Sequence, residues 1–95
     1  MEKKNEIYVR IAGPEKVLWE GKAFAVSSKN SQGNFDILPH HTGFLTIVED
    51  QPIKISSQKK KILQEFRFER ALIYNRDNRV SIYTLGSPEP EVGNS

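Results

Sequence analysis

Apolar residues recur at every second position in short runs, and each run ends at a cluster of turn-forming residues. Ile7, Val9 and Ile11 alternate with Tyr8 and Arg10 until Gly13-Pro14-Glu15 closes the run, as expected of a half-buried strand. Val17-Leu18-Trp19 stops at Gly21, and Ala23-Phe24-Ala25-Val26-Ser27 stops at the polar turn from Lys29 to Gly33. Phe35 to Leu38, Phe44 to Val48, Ile53 to Ile55 and Arg79 to Thr84 continue the pattern. None of these runs is long enough to hold a helix in water. The segment from Ile62 to Tyr74 also fits helical spacing through Leu63, Phe66, Arg70 and Ile73. Phe66-Arg67-Phe68 alternates and Leu72-Ile73-Tyr74 is rich in β-formers, so it is read as strand with a break near Glu69-Arg70-Ala71.

The pattern predicts an all-β chain, a β-sandwich of two mainly antiparallel sheets with about ten short strands. The domain is expected over 7–85, with a charged N-terminal extension over 1–6 and a loose tail over 86–95, where Pro-Glu repeats leave little to bury. Phe24, Val26, Phe35, Ile37, Leu45, Ile47, Ile53, Ile55 and Ile82 are the expected core. Lys59-Lys60-Lys61 is expected at one hairpin tip and Asn75-Arg76-Asp77-Asn78 at another.

One block carries more local information than the rest: Gly33-Asn34-Phe35-Asp36-Ile37-Leu38-Pro39-His40-His41-Thr42-Gly43-Phe44-Leu45-Thr46. Gly33 is free to take positive φ and end the preceding turn. Pro39 fixes φ, lacks a donor and holds Leu38 extended, so the strand must end there. The following run, Phe44 to Val48, is apolar on both faces, which suggests burial on both sides or a strand crossing between sheets.

Length and charge narrow the function. With 95 residues, 27% of them charged, and a net charge of +2, the chain has room for one core and no large catalytic cavity, and its basic excess is too small to imply nucleic acid. Absence of cysteine excludes disulfides, zinc–thiolate sites and thiol nucleophiles, and fits a reducing cytoplasm. The charged start suggests no signal peptide, and no apolar run reaches the ~20 residues of a membrane span. The protein is therefore expected to be soluble or peripheral.

Candidate chemistry is sparse. Adjacent His40 and His41 point to opposite sides of an extended loop and lack a third ligand at matching spacing, so a metal site is not expected. Ser27, His41 and Asp36 assemble a triad only on paper, because no nucleophile elbow surrounds the serine. Trp19 reads as core more readily than as an interface anchor. Lys59, Lys60, Lys61, Arg67, Arg70, Arg76 and Arg79 with Phe66, Phe68 and Tyr74 could make a basic, stacking surface for RNA. Alternation points Phe66 and Phe68 inward, however, away from Arg67.

Three blocks resemble the N-terminal β-sandwich of the epsilon subunit of F-type ATP synthases, called delta in mitochondria. They are Pro14-Glu15-Lys16-Val17-Leu18-Trp19-Glu20-Gly21, the Gly33-to-Thr42 block with the following Phe44-Leu45-Thr46, and Asn78-Arg79-Val80-Ser81-Ile82-Tyr83. The likeness covers roughly Ile7 to Leu85. It implies a non-catalytic docking subunit in the rotor stalk, on the cytoplasmic face of the membrane, touching the gamma subunit and the c-ring during proton-driven ATP synthesis. Neither cofactor nor small-molecule substrate is implied. By position, it implies a docking surface at Gly13, Gln32, Asn34, His40, His41 and Thr46. The departures are Asn34, where the family commonly has an acidic residue, His40, where glycine is common, and Phe68-Glu69-Arg70-Ala71, where a small strand with glycine is usual. No helical hairpin follows the sandwich here, so inhibition by an inserted helix and ATP binding are not expected.

Overall fold

Where successive strand runs pair as hairpins, the turn residues fit the geometry required. Asp77 and Asn78 both take positive φ, at 52° and 61°, the two-residue hairpin geometry that matches strand twist. Gly33 takes φ 123° at the end of another hairpin, where a side chain would be strained.

The computed structural model describes residues 6–84. Within them lie nine strands and no helix: β1 (Ile7–Ala12), β2 (Val17–Ala23), β3 (Ala25–Asn30), β4 (Gly33–Ile37), β5 (Phe44–Val48), β6 (Pro52–Ser56), β7 (Ile62–Arg67), β8 (Ala71–Arg76) and β9 (Arg79–Thr84). They form a five-stranded sheet in the order β2-β1-β9-β8-β5 and a four-stranded sheet in the order β4-β3-β6-β7. All pairings are antiparallel except β1 with β9. The expected β-sandwich is therefore present, with nine strands where about ten are expected. The expected extension, apart from Glu6, and the tail lie outside the described residues.

The core is the inner face of both sheets. Ile7, Val9 and Ile11 on β1, Ile73 on β8 and Val80 and Ile82 on β9 face Val26, Ile37, Ile53 and Ile55 of the other sheet, all at most 1% exposed. Phe66 and Phe68 are buried with rings stacked 5.8 Å apart, so their inward alternation is borne out. Trp19 packs half-buried against this core.

Four expectations are corrected. Leu45 and Ile47 are 62% and 49% exposed. β5 is the edge strand of its sheet and buries only the side bearing Phe44, Thr46 and Val48. The crossing between sheets occurs before it, in the loop 38–43. Phe24 is half-buried at the bend where the chain leaves β2 for β3 of the other sheet. Gly21 does not end β2: a Cβ there would come within 3.1 Å of the Trp19 ring, so glycine makes room for that ring inside the strand. The expected break near Glu69-Arg70-Ala71, by contrast, is borne out: strand stops at Arg67 and resumes at Ala71, where the chain crosses from β7 in one sheet to β8 in the other.

Candidate functional site

Asn30 ends β3 and caps the hairpin to β4: its side-chain carbonyl accepts the Gln32 N–H at 2.8 Å. Its amide reaches across the sandwich and donates to Thr46 Oγ1 at 2.9 Å. One asparagine thus fixes the hairpin tip and fastens it to β5. Gln32 and Asn34 are exposed beside it, and Thr46 is half-buried. The structure brings these three together.

His40 and His41 lie in the loop before β5, whose first residue, Phe44, is two positions, about 7 Å, from Thr46 at the strand's centre. Their loop is held from three directions. The His40 N–H donates to Asn78 Oδ1 at 2.6 Å, and the His41 N–H donates to the Leu38 carbonyl at 3.1 Å. The buried Asn75 amide donates to the Thr42 carbonyl at 3.1 Å. Both histidines are exposed, and the His41 ring lies over Phe44 with centroids 6.1 Å apart. His40 takes φ 66°, a left-handed conformation that is uncommon outside glycine. That explains why a family resemblance can put glycine at this position. Gly13 lies apart from both groups. It ends β1 beside Thr84, two strands removed from β5 but at the end of the sandwich nearer Gln32.

The outer face of the five-stranded sheet forms a grid that strand-by-strand reading does not reveal. One row across the strands is Ile47, Leu72, Tyr83 and Ala12; the next is Leu45, Tyr74, Ser81, Arg10 and Glu20; the third is Arg76, Arg79, Tyr8 and Lys22. Apolar side chains thus fill the corner toward β5, and cations fill the far row. Tyr8 donates to Glu20 Oε1 at 2.5 Å, and Arg79 lies 5.8 Å from the Tyr8 ring centre. The bond to Glu20, together with partial desolvation and the nearby carboxylate charge, raises the Tyr8 hydroxyl above its ordinary pKa. Arg76 is likewise held above its ordinary value by the Tyr74 hydroxyl and the charges around it. The available signal was alternation on β8 and β9, which puts Leu72, Tyr74 and Tyr83 opposite the buried Ile73 and Ile82.

The model of the ATP synthase delta/epsilon chain β-sandwich domain family matches residues 6–86, nearly all of the described fold. This chain belongs to that family. Among curated relatives, the ATP synthase epsilon chain of Micrococcus luteus is 36% identical over 50 residues, covering 53% of this chain and 55% of that one. The epsilon chain of Brevibacillus brevis is 28% identical over 57 residues, covering 60% of this chain and 43% of that one. The chain therefore spans about half the length of the curated relatives it matches. Among solved structures, a chain of the Euglena gracilis mitochondrial ATP synthase superposes with a TM-score of 0.80 at 12% identity, over 97% of this chain and 56% of that one. One from the Tetrahymena thermophila mitochondrial ATP synthase central stalk and c-ring superposes with a TM-score of 0.69 at 19% identity, over 88% and 66%. At such identities these two likenesses establish the fold.

Ser27, His41 and Asp36 do not assemble as a triad. Ser27 donates directly to Asp36 Oδ1 at 2.5 Å, with no imidazole between them, while His41 stacks on Phe44. A triad needs the histidine in the middle. Among the described residues no group of three or more His, Asp or Glu side chains could hold a metal ion. The expected basic, aromatic surface is split: Phe66 and Phe68 are buried, Lys59–Lys61 cap the β6–β7 end of one sheet, and Arg76, Arg79 and Tyr74 lie on the outer face of the other. No helix among the described residues is long and apolar enough to cross a membrane.

Proposed function

We propose that this sandwich docks the central stalk of a rotary F-type ATP synthase to its membrane c-ring, with the gamma subunit as its stalk partner. The observation that carries the reading is the family match across residues 6–86. The form of the surface supports it. A bridging subunit needs two contact zones held in fixed relation, and β5 joins two: Gln32 and Asn34 of the hairpin with Thr46 at the strand's centre, and His40 and His41 in the anchored loop before its start. Each zone is fastened by asparagine side chains, so little freedom is lost on docking. Gly13, with β9 and β8 between its strand and β5, lies outside both zones. The role is mechanical coupling in proton-driven ATP synthesis, carried out peripherally at the cytoplasmic face of the membrane.

The test is capture of the tagged domain from membranes of its own source, followed by mass spectrometry. Gamma, the c-ring and the catalytic ATPase subunits should co-purify. The pair His41→Ala with Asn34→Ala should leave the circular dichroism and melting unchanged while weakening that capture. Undiminished capture by the pair would remove the rim from the interface, and absence of every stalk subunit from the wild-type eluate would remove the function.

A further inference from the structure

We propose that the outer face of the five-stranded sheet seats an amphipathic helix of a partner protein, one whose apolar stripe ends in a turn bearing carboxylates. The inference rests on the docking role above and adds to it the chemistry of one partner element.

Three observations converge on that occupant. The first is the apolar corner. Leu45, Ile47, Tyr74 and Tyr83 are 62%, 49%, 38% and 42% exposed and adjoin one another in register around Leu72. Contiguous apolar surface of this kind is rare on a soluble monomer unless something covers it. Among the described residues nothing does.

The second is shape. The corner spans three strands, about 10 Å at the usual strand spacing, which is the width of one helix with its side chains. An added strand would pair with the edge of β5 and reach no further than Leu45 and Ile47. A helix laid along the sheet meets Tyr74 and Tyr83 as well, because it rests on the face and not on the edge.

The third is charge. Beyond the corner lie Arg76, Arg79, Arg10 and Lys22, offset among the described residues by Glu20 on the face, Asp77 in the turn and Glu6 beside Lys22 and Arg79. Arg76 stands directly opposite Arg79, and like charges in that position destabilise an isolated sheet. A partner carboxylate between them removes the repulsion. Successive outward residues along a strand are about 7 Å apart and a helix turn rises about 5.4 Å. The carboxylates therefore belong one turn beyond the stripe, at the helix end nearest the β8–β9 hairpin. A helix C-terminus there also presents its negative dipole end to the arginines.

The test titrates the isotope-labelled domain with purified gamma subunit from the same source. Two synthetic helical peptides are titrated in parallel, sharing one leucine stripe and ending in a glutamate or a lysine turn. The expected result is amide shifts confined to β5, β8 and β9, with the glutamate peptide binding more tightly than the lysine peptide. Leu45→Ser should weaken binding about tenfold or more, as loss of a central apolar anchor does, without lowering the melting temperature. Arg76→Glu combined with Arg79→Glu should reverse the preference between the peptides. If gamma binds but perturbs only residues 30–34 and 40–42, the helix seat is overturned and the docking role stands. If gamma does not bind while the glutamate peptide shifts the sheet face, the docking role fails and the seat stands. Peptide binding that ignores both the terminal charge and Leu45→Ser overturns the seat whatever gamma does.

Discussion

The two sheets of this sandwich bury their inner faces alike and finish their outer faces in opposite ways. Across the four-stranded sheet, Asp36, Ser27, Lys54 and Glu65 lie in one register row. Ser27 bonds Asp36, and Lys54 stands directly opposite Glu65. Each polar group in that row has its complement on the same face. Across the five-stranded sheet the corresponding rows hold an apolar corner that nothing among the described residues covers, and a pair of facing arginines whose complements are an exposed Asp77 3.8 Å from Arg76, the Tyr74 hydroxyl and the Tyr8 ring beside Arg79. A surface that satisfies itself is finished as a solvent boundary, whereas one that does not is built for something else to complete. The difference is the ground on which the five-stranded sheet is proposed as the side that takes a partner, although Leu38, Ile62 and Leu63 are also exposed on the other.

The comparison breaks most sharply through one pair of isoleucines. Ile55 is fully buried on β6 and Ile47 is half-exposed on β5. Ile55→Ala should cost about 3 kcal/mol through lost burial and a cavity. Ile47→Ala should cost less than about 0.5 kcal/mol, as for a surface site away from any special feature. Urea unfolding of the two variants would measure this. Equal costs would mean that the outer face of β5 is covered by the domain itself, and the contrast between the sheets would vanish.

That same pair shows what sequence reasoning reaches and where it stops. Alternation is local, so it found the strands, the inward phenylalanines and the Asp77-Asn78 hairpin. It also found Gly33, whose positive φ follows from its place in a polar turn. Alternation cannot distinguish a strand buried twice by its own domain from one buried once and kept apolar for a partner. Phe44 to Val48 reads identically in both cases, and Leu45 and Ile47 were placed in the core for that reason. The anchors of the candidate site were hidden by a different obstacle. Asn75 and Asn78 lie 33 and 38 positions from the loop residues they hold, and Asn30 is 16 positions from Thr46. Only the cross-sheet register brings such pairs together. Resemblance to a family supplied Gln32, Asn34, His40, His41 and Thr46 as a surface, and the structure divides that surface between the hairpin fastened to the centre of β5 and the loop before its start.

Charge reversal sharpens the contrast at smaller magnitude. Lys54→Glu puts a carboxylate opposite Glu65 and should destabilise the domain by about 0.5 kcal/mol, an effect that added salt diminishes. Arg76→Glu on the other sheet gives up an exposed 3.8 Å ion pair with Asp77, worth little, and replaces the like-charge pair with Arg79 by an opposite one, so it should stabilise by a few tenths of a kcal/mol at most. Thermal melts at low and high ionic strength would read both signs. Destabilisation by Arg76→Glu would show that its bond with Tyr74 outweighs its repulsion with Arg79, leaving that row self-satisfied.

The smallest effect belongs to a contact that the five-stranded sheet's outer face makes with itself, the bond from Tyr8 to Glu20. Donating to that carboxylate raises the Tyr8 hydroxyl above tyrosine's ordinary 10.0. A group whose folded pKa is raised binds its proton more tightly in the folded state, so its contribution is full below the unfolded value and declines as pH climbs through the folded one. The stability difference between wild type and Tyr8→Phe should therefore be constant through neutral pH and shrink above about 10. Because the pair is exposed to solvent, the change should be small and should weaken further in salt. Urea midpoints measured for both proteins across the alkaline range would decide it. A difference that stays flat there would mean Tyr8 and Glu20 are not joined in solution, and the carboxylate would then be free to answer Arg10 and the basic row beside it.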